Sequence, residues 1–139
     1  MARGHRSQYK QKRNERPKEE RPFAAHKFAR ISDTKARIVL AQIKGKSADA
    51  ALGILKYSPR YGASLIEKVL KSAIANAEHN KNMSVDDLYV EEVLADRGPS
   101  FKRMQPRARG MGYPINKKTS HITVILNKKS EKAAKRRAK

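Results

Sequence analysis

Arg97-Gly98-Pro99-Ser100-Phe101-Lys102-Arg103-Met104-Gln105-Pro106-Arg107-Ala108-Arg109-Gly110-Met111-Gly112-Tyr113-Pro114-Ile115-Asn116-Lys117-Lys118 carries seven Lys or Arg and no Asp or Glu. Gly, Pro, Met and aromatic residues are threaded between the charges. Residues 88–96 before it and 119–127 after it read as strands. In the second, Ile122, Val124 and Leu126 alternate with His121, Thr123 and Ile125, the period of two that gives a strand one apolar face. A basic arm between two pairing strands cannot bury itself in its own domain, because each unpaired buried charge costs several kcal/mol. It needs a polyanion to lie against, and nucleic acid is the leading partner.

The whole chain carries the same bias. In 139 residues, 33 Lys and Arg face 13 Asp and Glu, a formal charge of +20, and phosphates are the natural counter-charge for such a surplus. There is no cysteine, which excludes disulfides and thiolate zinc sites. No apolar run approaches the roughly 20 residues that span a bilayer. The first ten residues lack the apolar centre of a secretory signal, and Glu15, Glu19 and Glu20 argue against an organellar presequence. A cytoplasmic protein without membrane attachment is expected.

Residues 1–22 are polar and charged, with Pro17 and Pro22, and are expected to be disordered in isolation. The tail over 128–139 sets Lys128, Lys129, Lys132, Lys135, Arg136, Arg137 and Lys139 against Glu131 alone. The domain between them, residues 23–127, begins with an extended segment over 23–31, with Phe23, Ala25 and Phe28 as apolar contacts. Ser32 and Asp33 look like a cap for a helix over 34–44, with Ala36, Val39, Leu40 and Ile43 as its apolar stripe and Gly45 as its stop. Ser47 caps a shorter helix to about Tyr57, with Ala51, Leu52 and Leu55 inward, and Ser58-Pro59 ends it. A third helix over 61–80 places Leu65, Ile66, Val69, Leu70, Ala73, Ile74 and Ala77 on one face. Three helices followed by strands predict an α+β fold, with the helices on one face of a sheet.

In the arm, Lys102, Arg103, Arg107, Arg109, Lys117 and Lys118 are the best phosphate ligands. Gly110 and Gly112 permit a turn at its tip. Phe101, Met104 and Tyr113 could stack on bases or serve as hairpin packing. Arg30, Lys35 and Arg37 surround the start of the first helix, where cations and the helix dipole favour an anion. Glu67 and Lys71 are spaced for an ordinary helical ion pair. His121 reads as an outward polar residue or an RNA contact. His26, His79 and His121 share no ligand spacing. Asp86, Asp87, Glu91, Glu92 and Asp96 could suggest a metal-dependent nuclease, but read more simply as an acidic face turned away from nucleic acid.

Four stretches, residues 30–37 (RISDTKAR), 73–80 (AIANAEHN), 98–108 (GPSFKRMQPRA) and 118–124 (KTSHITV), occur in an order that resembles the bacterial form of the ribosomal protein uL22 family. The resemblance covers about residues 23–127. It implies three helices on a small antiparallel sheet, with a β-hairpin over 97–118 extending far beyond the body. It further implies a structural protein of the large ribosomal subunit, at work on the cytoplasmic ribosome, that binds 23S rRNA and aids assembly. Its neighbours would be other large-subunit proteins, and its hairpin tip, Arg107, Ala108, Arg109, Gly110, Met111, Gly112 and Tyr113, would line the nascent-peptide tunnel beside the growing polypeptide. No catalytic residue, metal, cofactor or homo-oligomer is implied. The tip sequence Gly110-Met111-Gly112-Tyr113-Pro114 departs from the family's usual Gly followed by Arg-Ala, and the N-terminal 22 residues and the basic tail exceed the usual short form. A sequence-tolerant DNA-binding protein is the competing reading of the charge. It lacks helix-turn-helix spacing, and an enzyme reading lacks a nucleophile–base pair or phosphate loop.

Overall fold

A computed structural model describes residues 21–129; the expectations for residues 1–20 and 130–139 lie outside the described part. Strand β1 (Phe23–Ala29) leads into helices α1 (Asp33–Ile43), α2 (Ala48–Tyr57) and α3 (Tyr61–Lys81). A turn of 3-10 helix at Val85–Asp87 precedes β2 (Leu88–Pro106), and a second at Ala108–Gly110 joins it to β3 (Gly112–Lys128). The strands form one antiparallel sheet in the order β1-β3-β2. This is the α+β architecture expected.

Local chemistry explains the helix ends. The Ser32 hydroxyl accepts the Lys35 N–H at 3.4 Å and caps α1. Gly45 adopts φ 77°, a left-handed conformation that turns the chain out of α1. The Gly45 N–H then donates to the Val90 carbonyl and the Val90 N–H donates to that of Lys46, which docks this turn on β2. Ser47 stands at the N-cap of α2 with an extended backbone, but its side chain makes no capping bond. At the end of α3, Asn82 is left-handed, and the N–H groups of Asn82 and Met83 return to the carbonyls of Glu78 and Ala77, a Schellman-type closure.

The apolar stripes of all three helices meet the inner face of the sheet. Leu40, Ile43, Leu55, Ile66, Leu70, Leu88, Ile122 and Leu126 are the largest fully buried side chains. Leu52 and Leu65 are only half-buried and pack at the margin. Glu67 and Lys71 form the expected i,i+4 pair at 2.6 Å on the outer surface of α3.

One expectation is corrected. In β1 the buried residues are Ala24 and Ala29, whereas Phe23 and Phe28 are 43% and 58% exposed and Ala25 is exposed. Alternation allows either face to be the inner one, and a one-residue shift exchanges them. Alanine wins because the strand's inner face lies under α3, whose own contact surface carries Ala73 and Ala77. The pairing of β1 with β3 is irregular between His26 and Ala29, where Phe28 takes φ 59°. There the Phe28 N–H donates to Nδ1 of His121 at 3.0 Å and the two rings meet edge to face with centroids 4.7 Å apart. His121 is thus a structural acceptor for the bulged backbone. The arm is the protruding hairpin that the resemblance implies: β2 and β3 run on past the strand limits of 96 and 119 read from the residues and stay paired from Ser100 opposite Lys118 to Pro106 opposite Gly112.

At the arm's base the register shifts between Arg97 and Ser100. The Thr119 hydroxyl, itself buried, donates to the Pro99 carbonyl at 2.6 Å. A Cβ on Gly98 would stand 2.5 Å from Thr119 Oγ1 and 3.2 Å from its backbone. Backbone cannot give way as a flexible side chain does. Gly98→Ala is therefore expected to cost about 1–3 kcal/mol through overpacking, seen as a lower urea midpoint with unchanged slope.

Candidate nucleic-acid interface

The arm stands clear of the core. From Phe101 to Gly112 every residue is exposed, including Met104 at 71% and Met111 at 62%. Strand rise of about 3.3 Å per residue carries the tip on the order of 30 Å from Gly98. At the tip, the Arg107 N–H donates to the Met111 carbonyl at 2.8 Å, and Arg109 and Gly110 take φ 59° and 70°. The expected turn glycine is therefore Gly110. Gly112 lies against Met104, where a Cβ would stand 2.9 Å from Sδ and would displace that exposed, flexible side chain. Arg107, Ala108, Met111 and Tyr113 rim a shallow hollow at this end.

A groove of about 1110 Å³ opens where the starts of α1 and α3 face the base of the arm. Five of the expected cations, Arg30, Lys35, Arg103, Lys117 and Lys118, line it, and Arg60 joins them. No carboxylate is among the lining residues. The Arg30 guanidinium lies over the Phe101 ring, 5.5 Å from its centroid, a cation–π contact that ties the body to the arm. Tyr61, 67% exposed, stands on the same wall.

The remaining expected ligands lie elsewhere. Lys102, Arg107 and Arg109 are exposed further along the arm, outside the groove. Arg37 is drawn away from it: Nε and Nη2 both donate to the Ala95 carbonyl, at 3.2 and 3.1 Å, and Nη2 lies 3.8 Å from the Asp33 carboxylate. Its guanidinium fastens α1 to β2. The acids keep off the groove as well. Glu91 and Glu92 hold the Arg21 guanidinium at 3.0 and 3.3 Å, and Asn127 donates to Glu91.

Arg60 and Tyr61 escaped the sequence reading. Their signal was present: a cation at an N-cap with no acid in the first turn opposes the usual dipole preference and marks a helix start suited to an external anion. Among the described residues no three His, Asp or Glu side chains are grouped to hold a metal ion, and no helix is long and apolar enough to cross a membrane.

Residues 24–127 match the family described as Ribosomal protein L22p/L17e. The chain is 55% identical over 129 residues to the large ribosomal subunit protein uL22 of Lachnospira eligens, covering 93% of this chain and all of that one. With the uL22 of Lachnoclostridium phytofermentans the identity is 54% over the same length and coverage. With that of Ligilactobacillus salivarius it is 57% over 106 residues, 76% of this chain and 92% of the relative. Identity at this level over most of the chain, joined to the three-helix body and the long basic hairpin, places the chain in the uL22 family of bacterial large-subunit ribosomal proteins, which are structural proteins of the ribosome and not enzymes.

Proposed function

We propose that this chain binds 23S rRNA through the groove and the arm, helps the large subunit assemble, and lines the nascent-peptide tunnel with the tip of its hairpin. The observation that carries this reading is the arm itself: regular two-stranded structure over residues 100–118, seven cations and no acid over 97–118, and almost no side chain buried. An isolated two-stranded ribbon is marginal in water. Phosphates along both edges would neutralise its charge and hold it straight. Arg30, Lys35, Arg103, Lys117 and Lys118 with Arg60 grip RNA at the base, Lys102 along the shaft, and Arg37 at the margin with the guanidinium donors left over from Ala95. Ala108, Gly110 and Gly112 keep the tip narrow, and Arg107, Arg109, Met111 and Tyr113 present two cations and two soft apolar surfaces to the nascent polypeptide. Neighbouring large-subunit proteins meet the body away from the groove.

The chain has no cysteine of its own, so a single introduced thiol reports one position. Ribosomes carrying Met111→Cys should cross-link to a nascent chain bearing a thiol-reactive group, and ribosomes carrying Gln42→Cys on the body should not. Equal labelling at the two positions, or none at position 111, removes the tip from the tunnel.

A further inference from the structure

We propose that the groove at the arm's base receives an unpaired nucleotide, a bulge or sharp turn in the RNA, and not the side of a continuous duplex. This rests on the RNA-binding reading and adds to it the kind of RNA that fits.

Cations alone would suffice to hold a duplex, because a duplex offers phosphates and keeps its base faces inside the stack. The groove holds more than cations. Phe101 is 46% exposed and Tyr61 67% exposed, and both line it among Arg30, Arg60, Lys117 and Lys118. Exposed aromatic surface is costly in water, and neither ring belongs to the core cluster. Arg30 already occupies the neighbourhood of the Phe101 ring at 5.5 Å, and the exposed remainder of that ring is free to take a second flat partner. A splayed-out base completes an Arg–Phe–base stack, the arrangement by which single-stranded RNA is commonly held. The volume, about 1110 Å³, exceeds what one nucleotide needs. The phosphates flanking such a base are tightly turned, and Arg60, Lys117 and Lys118 converge from two elements to meet them.

The test uses the full chain and two short RNA hairpins of equal length and charge. One is fully paired, and the other carries a single bulged 2-aminopurine. The unsubstituted chain should favour the bulged RNA by about tenfold or more, the worth of one base–aromatic stack, and should quench the 2-aminopurine fluorescence. Phe101→Leu with Tyr61→Leu should bring the ratio near one and abolish the quenching. Neither ring is in the core, so the melt should stay cooperative and fall by no more than about 5 °C, the worth of the lost Arg30–Phe101 contact, which circular dichroism checks. Arg60→Gln with Lys117→Gln should weaken the bulged RNA more than the paired one and flatten its salt dependence, while the bulged RNA that still binds remains quenched. Equal affinity of the unsubstituted chain for the two RNAs, with normal salt dependence, overturns the bulge and leaves RNA binding standing. A ratio that survives loss of both rings also overturns it, because the bulge is then read elsewhere. Failure to bind either RNA at any salt overturns the RNA reading itself.

Discussion

Binding of the full chain to 23S rRNA fragments is expected to weaken by about a thousandfold or more when monovalent salt rises from about 50 to about 200 mM. Cations at the groove, Arg30, Lys35, Arg60, Arg103, Lys117 and Lys118, with Lys102, Arg107 and Arg109 along the arm, offer enough charge to engage about eight phosphates. Each contact releases counterions worth roughly −0.7 to −0.9 in the slope of log K against log salt, so the total slope is about −6 or steeper. Exposed ion pairs inside the protein, such as Glu67 with Lys71, contribute only a few tenths of a kcal/mol and cannot mask an effect of this size. A filter-binding titration decides the matter: a slope near zero would mean that the arm's charges do not meet phosphate.

The second large effect separates body from arm. Leu70→Ala should cost about 2–5 kcal/mol, since Leu70 is fully buried on the long helix that packs against both β1 and β3. Replacing residues 101–117 by a two-residue turn should leave a cooperative melt with full helical circular dichroism, because none of those residues contributes to the core cluster. Loss of the transition in the shortened chain would show that the ribbon braces the body. A Leu70→Ala chain as stable as its parent would show that the core tolerates the void.

The features most legible in the sequence were those with a strong local signal. Ser32 before a 3–4 spaced stripe marked α1, the long apolar face of α3 could not be read otherwise, and Ile122, Val124 and Leu126 disclosed β3. The inner face of β1 was not legible, since Phe23 is the larger apolar residue and only the closeness of α3 makes Ala24 the buried one. Residue pattern alone ended the strands at 96 and 119, because Gly98, Pro99 and Pro106 punctuate a sequence without breaking a bulged ribbon, and it was the family resemblance that carried the hairpin through the arm. Charge type alone could not separate Arg37, spent on the Ala95 carbonyl, from Arg30, which faces the groove. Nor could it foresee Arg60, because the groove exists only when the start of α3, the start of α1 and the arm's base are brought together from distant parts of the chain.

The sheet order bears on how the molecule comes into being. Among the described residues the central strand, β3, is the last of the three strands in sequence, and β1 and β2 each pair with it and not with one another. During synthesis the helices can form as they emerge, yet β1 has no partner until residues 120–125 follow it, about a hundred residues later. The body therefore closes in a late step dominated by distant contacts, which are slow to form. Until then the cationic residues 97–118 are already made and have no folded base to stand on. An RNA that gathers them early would shorten the search for the β3 register, so the transcript and the protein would each template the other's folding.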